Sequence, residues 1–126
     1  MQGIAADYRY FPQVMDGVFA GAEYQTTFRF VNTGDDTSVT LEFFDNGGDP
    51  AGLPFQGIEG EPESLQFQLR RGETASFRTI GTGDFVTGFA RFTASPYVDG
   101  TAAFIGIDSA TRVTMYETGV LSLIHI

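Results

Sequence analysis

Leu65-Gln66-Phe67-Gln68-Leu69-Arg70 alternates apolar with polar side chains at every step, and runs of the same kind recur along the chain. Successive side chains of a β-strand point to opposite faces, so such a run is a strand with one dry and one wet side. Tyr24 to Asn32 repeats the pattern, with Tyr24, Thr26, Phe28 and Phe30 on one face and Gln25, Thr27 and Arg29 on the other. Val39, Leu41 and Phe43 alternate against Thr40, Glu42 and Phe44, while Ala75, Phe77 and Thr79 oppose Ser76 and Arg78. In Phe85 to Ala94, Val86, Gly88, Ala90 and Phe92 share a face. Thr101 to Ile107 and Thr111 to Tyr116 complete the expected strands.

Turn formers punctuate these runs. Asn32-Thr33-Gly34-Asp35-Asp36, Asp45-Asn46-Gly47-Gly48-Asp49-Pro50, Arg71-Gly72-Glu73 and Gly81-Thr82-Gly83-Asp84 each supply glycine or an Asx side chain where the chain must reverse. The first strand, from Ala6, is expected to stop at Pro12, with Met15-Asp16-Gly17 as the next turn. Leu53-Pro54-Phe55 reads as an edge piece, because proline cannot donate to a ladder. Gln56 to Ser64 reads as a loop, and Ser95-Pro96 and Asp99-Gly100 bracket another. No window carries the i, i+3, i+4, i+7 spacing of an amphipathic helix with a cap. The expected class is all-β, and regularly spaced short strands point to a sandwich or a barrel.

A chain of 126 residues fits one domain with its own core. The net charge of −9 disfavours nucleic acid and anionic membrane surfaces as partners. No run approaches the roughly 18 apolar residues that cross a bilayer as a helix, so membrane insertion is not expected. Without cysteine, disulfides, zinc–thiolate sites and thiol nucleophiles are excluded.

The order of turns and strands resembles a family of immunoglobulin-like β-sandwich repeat modules in large secreted or surface proteins of bacteria. The resemblance rests on Phe11-Pro12-Gln13 with Asp16-Gly17, on Thr26-Thr27-Phe28-Arg29-Phe30-Val31-Asn32, and on Leu41-Glu42-Phe43-Phe44-Asp45 followed by Gly48 and Pro50. Leu53-Pro54-Phe55, Gly81-Thr82-Gly83, Gly88-Phe89-Ala90-Arg91 and the closing Glu117-Thr118-Gly119-Val120 extend it over most of residues 8–120. Phe89 stands where the family more often has tryptophan. The resemblance implies an antiparallel immunoglobulin-like sandwich of about seven strands and an extracellular or cell-surface setting, with no catalytic residues to carry over. Residues 1–120 are then one module. Leu121-Ser122-Leu123-Ile124-His125-Ile126 is similar to translated sequencing-adapter sequence, so 121–126 reads as foreign to the module and the chain as a fragment.

Chemistry is sparse. The single histidine, His125, falls in that closing hexapeptide, so a nucleophile–histidine site is not expected. The sixteen acids form no recognisable glycosidase pair, and the chain is not expected to be an enzyme. Asp45, Asn46 and Asp49 offer oxygens to calcium, with Asp35 and Asp36 as further donors if they share an end of the fold. Their spacing departs from the Asp-x-Asp-x-Asp-Gly loop, and no other cofactor is expected. Carbohydrate binding needs aromatic faces beside hydrogen-bonding groups, which Tyr8, Tyr10 and Tyr97 would supply, with Tyr24 and Tyr116 as further tyrosines. Tyrosine is also the ordinary rim residue of a β core, its ring buried and its hydroxyl wet.

The functional expectation is a non-catalytic structural, adhesion or spacer module. Its partners would be neighbouring domains of the parent protein, a polysaccharide or a cell-surface protein. A spacer should bury its aromatics and carry its ends at opposite poles, whereas a carbohydrate-binding module should expose an aromatic platform.

Overall fold

The computed structural model describes residues 8–121 and 123–124, with side chains over residues 8–114. Nine strands follow in order: β1 Arg9–Phe19, β2 Ala22–Asn32, β3 Thr37–Asp45, β4 Ser64–Leu69, β5 Thr74–Arg78, β6 Val86–Thr93, β7 Val98–Asp108, β8 Thr114–Leu121 and β9 Leu123–Ile124. Every pairing between these strands is antiparallel, and the described residues contain no helix. The all-β class is therefore as expected. The main path of seven strands runs β4-β3-β6-β1-β2-β7-β8, with β5 added to β2 and β9 to β1. Pairing passes from β1 through β2 and β7 to β8, and β9, next in the chain, pairs with β1, so the sheet is nearly barrel-shaped. β4 and β5 are left as its lips.

β1 makes this closure and corrects two expectations. It continues past Pro12, which lies in a register shift between Phe11 and Val14 where a missing N–H breaks no ladder bond. Asp16-Gly17 is not a turn. Up to Asp16 the strand pairs with β6, and from Gly17 it pairs with β2. Gly17 has φ +111°, and a Cβ there would lie 2.2 Å from the Asp84 carbonyl oxygen. Only glycine lets the strand change partners so close to the 81–85 segment. The reversal into β2 comes instead at Ala20-Gly21.

Gly100 is a third correction, since it lies within β7 rather than in a loop. A Cβ at Gly100 would come within 2.9 Å of the Phe30 and Phe92 rings, so the absent side chain makes room for the core. The Leu53–Phe55 piece is a short extension beside β5: Phe55 bridges Thr79, Gln56 N donates to Arg78 O, and Ile80 N donates to Pro54 O. β8, expected over Thr111 to Tyr116, starts at Thr114 and runs to Leu121.

Phe11, Phe28, Phe30, Phe43, Phe55 and Phe92 are each at most 2% exposed. Phe92 stacks on Phe11 at 5.4 Å and meets Phe30 edge-on at 5.1 Å, while Phe43 touches Phe28 and Phe55 at 5.7 and 5.2 Å. Burying each ring stabilises the fold by about 1.5–3 kcal/mol. Two buried polar side chains tie the strands where partners change. Thr26 Oγ1 donates to Met15 O at 2.7 Å and accepts from Met15 N at 3.2 Å. Asn32 Nδ2 donates to Leu69 O and Asp35 O, and its Oδ1 accepts from Gly34 N, so both its donors and its oxygen are engaged between the turn and β4.

Candidate binding face

The alternation that fills the core also writes a second row of side chains on the outside. Tyr10 of β1 sits opposite Arg91 of β6, and Arg91 sits opposite Glu42 of β3. One row along, Phe89 faces Phe44. Because Phe11, Ala90, Phe92, Leu41 and Phe43 point inward, these neighbours point outward.

The outward row is held together by ring contacts. Phe44 and Phe89 stack at 5.1 Å with 15° between their planes. Tyr10 lies 6.3 Å from Phe89 and 6.4 Å from Tyr8. The Arg91 guanidinium covers the Tyr8 ring at 4.0 Å and the Phe44 ring at 4.8 Å, and its Nε donates to Glu42 Oε1 at 3.0 Å. The hydrogen bond to Glu42 raises the Arg91 pKa above its ordinary value, with burial acting in the opposite direction. Both members of the ion pair are about a quarter exposed, so the pair contributes at most ~1 kcal/mol. Its larger effect is to lock a planar cation between two aromatic faces. A cavity of about 190 Å³ opens beside this row, with Phe44, Phe89, Asp45, Leu53 and Thr87 among its lining residues. Such a surface can stack on an apolar ring face and offer hydrogen bonds at its edge.

The residues singled out from the sequence divide between places. Tyr8 and Tyr10 lie together on this face. Tyr97 is elsewhere: it occupies the turn between β6 and β7, 62% exposed, with its carbonyl accepting from Thr33 N and Thr33 Oγ1. The described ring contacts do not join it to Tyr8 or Tyr10. Tyr24 packs edge-on against Phe85 at 5.4 Å, and the Tyr116 side chain lies outside the described residues.

Asp45, Asn46 and Asp49 share one turn. Asp45 Oδ1 accepts from Gly47 N at 2.9 Å and Asp49 N at 3.0 Å, which closes the turn, and Asn46 Nδ2 donates to Thr87 Oγ1 at 2.8 Å. Asp35 and Asp36 lie at the opposite end of β3, where Asp35 pairs with Arg71 and Asp36 accepts from Arg71 N. They do not share an end with Asp45, because β3 is too long to bring both clusters together. Among the described residues no group of three or more His, Asp or Glu side chains is arranged to hold a metal ion. His125 and the closing hexapeptide apart from Leu121, Leu123 and Ile124 lie outside the described residues; Leu123 and Ile124 pair with Tyr10 and Arg9.

Sequence reasoning did not single out Phe44, Phe89, Arg91 and Glu42 as partners of the two tyrosines. The signal was available: Phe44 and Phe89 are aromatic residues in the wet register of strands whose other register is already apolar.

No family model matches the chain, and no curated protein matches it. A solved structure, that of Thermotoga maritima 1070, is similar over 91% of this chain and 92% of its own, with a TM-score of 0.57 and 12% identity. At that identity the likeness concerns the fold alone.

Proposed function

We propose that the chain is an immunoglobulin-like β-sandwich acting as a non-catalytic module of a secreted or cell-surface bacterial protein, where it presents an adhesive surface. The observation that carries this reading is the pairing of Val120 with Ala102 near the start of β7, which brings the close of the module back to the Arg9 end of the sheet. The Arg9 guanidinium also donates to Ser95 and Val98 carbonyls at that same end. A domain held at one pole offers its far pole and its outer faces to a partner, whereas an in-line spacer needs its ends apart. Neighbouring domains of the parent protein would attach at the Arg9 end.

The phenylalanine core around Phe11 and Phe92, shared by strands on both sides of the partner switch in β1, supports the sandwich assignment. The net charge of −9 keeps such a module soluble by mutual repulsion.

A second reading, carbohydrate binding, is favoured by one feature: the outward Tyr8–Tyr10–Phe89–Phe44 row with Arg91 and Glu42 beside it. One experiment addresses both readings. The chain is run through native gels cast with xylan, mannan or β-glucan, and the same polysaccharides are assayed for released reducing ends. The carbohydrate reading expects retardation in at least one gel, lost in Phe89→Ala with its melting curve still cooperative. Release of reducing ends above buffer would contradict the non-catalytic reading. Unretarded migration in every gel would remove the carbohydrate reading and leave protein adhesion.

A further inference from the structure

At the pole opposite Arg9, the end of β1 and the 80–86 segment leave apolar side chains uncovered. Phe19 is 58% exposed, Val86 42%, Val18 41% and Ile80 37%. Phe85 holds them together: its ring lies 5.0 Å from Phe19 and 5.4 Å from Tyr24. Val18 N donates to Gly83 O and Val18 bridges Asp84, so the two segments form one surface. A contiguous apolar patch on a single domain is a common mark of a contact site.

The same segments line a cavity of about 340 Å³. Its walls are Asp16, Pro54, Glu61, Ile80, Thr82, Gly83, Asp84 and Val86, with three carboxylates and no basic residue among them. Ile80 and Val86 belong to both the cavity and the exposed patch. Asp16 stands at its base, 1% exposed, with Oδ1 accepting from Gly81 N at 2.8 Å. Pro54, Ile80 and Val86 thus border an acidic hollow on a molecule of net charge −9.

We propose that this pole is a docking site for a polypeptide segment that presents an arginine or lysine between apolar neighbours. The cationic head enters the hollow toward Glu61 and Asp84, and the flanking apolar side chains cover Phe19, Val18, Ile80 and Val86. Charge complementarity selects this occupant: an acidic segment would be repelled, and a purely apolar one would leave the carboxylates desolvated without a partner. The inference goes beyond the outer-face reading, because it concerns a different surface and a different ligand class.

The test titrates the isotope-labelled full chain with the peptide acetyl-Leu-Arg-Phe-amide, with its citrulline counterpart, and with calcium chloride, following backbone amide shifts. The proposal expects saturable shifts at residues 16–19 and 80–86 with the arginine peptide. Binding should be roughly tenfold or more weaker with citrulline, which keeps the shape and loses the charge. It should also weaken in about 0.5 M salt. Glu61→Gln with Asp84→Asn, both at exposed positions, should reduce arginine-peptide affinity toward the citrulline value. Absence of saturable shifts at this pole, equal affinity for the two peptides, or shifts there with calcium alone would each overturn it. The peptide comparison uses the unaltered chain, so it stands whether or not the variants fold. Polysaccharide retardation through the outer face can fail without touching this result.

Discussion

Gly17 and Asp16 are neighbours with opposite demands, and the fold's closure depends on both. Gly17 carries β1 from one partner to the next with no room for a side chain. Gly17→Ala should cost more than about 2 kcal/mol, from strain at positive φ plus the clash with Asp84 O. Urea unfolding of the two proteins measures it, and a change within about 0.5 kcal/mol would mean the 81–85 segment can move aside. Asp16 is buried beside it. Desolvation by burial raises its pKa above 3.8, and hydrogen bonds from Thr79 and Gly81 pull it down only in part. Between the unfolded value and the raised folded value, the folded chain binds the proton more tightly. Stability from this group is therefore fully present below the unfolded pKa and lost as pH rises through the folded one. Asp16→Asn keeps an oxygen for Gly81 N and removes this titration. The stability of the unaltered chain, relative to Asp16→Asn, should fall as pH rises from about 4 into the neutral range. A relative rise over that range, in melts taken side by side, would contradict the assignment.

At the scale of the strands, alternation was readable wherever both faces were plain. β2, β3, β4 and β6 follow from Phe28 and Phe30, Leu41 and Phe43, Phe67 and Leu69, and Ala90 and Phe92, because burial on one face fixes the register of each run. β1 was harder to read. Pro12 and Asp16-Gly17 are breakers by composition, yet a register shift absorbs the first and a partner switch uses the second. Gly100 carries the signature of a turn and serves the packing of Phe30 and Phe92. Local composition cannot reveal such roles, because they depend on strands far away in sequence. The outer face was half legible: Tyr8 and Tyr10 stand out as aromatics, but their meeting with Phe44 and Arg91 requires the β1-β6-β3 order. The far pole was not legible, since Val86 shares a register with buried Gly88 and Ala90 and is exposed only because the core ends before it. β9 contributes two paired positions to β1, which keeps its β6 partner throughout that stretch. If residues 121–126 are foreign to the module, removing them should cost less than about 1 kcal/mol. A loss of several kcal/mol in denaturant unfolding would make them an integral strand.

The whole molecule is a nearly closed sheet whose chain enters and leaves at one pole, with the uncovered apolar side chains of β1 and the 80–86 segment at the other. The two poles lie about 30 Å apart along β1, at roughly 3.3 Å per residue. On the proposed reading, that polarity leaves the outer face and the far pole free for partners. The chain contains no cysteine, so spin labels can be placed at chosen positions without removing native thiols. The decisive measurement is a pair of electron–electron distances, one between Leu121→Cys and Ser95→Cys and one between Leu121→Cys and Thr82→Cys. The account predicts that the first is short, below about 20 Å, and the second longer by more than about 10 Å. Equal distances, or the reverse order, would mean that the chain does not leave beside its entry, and the presenting reading would fall.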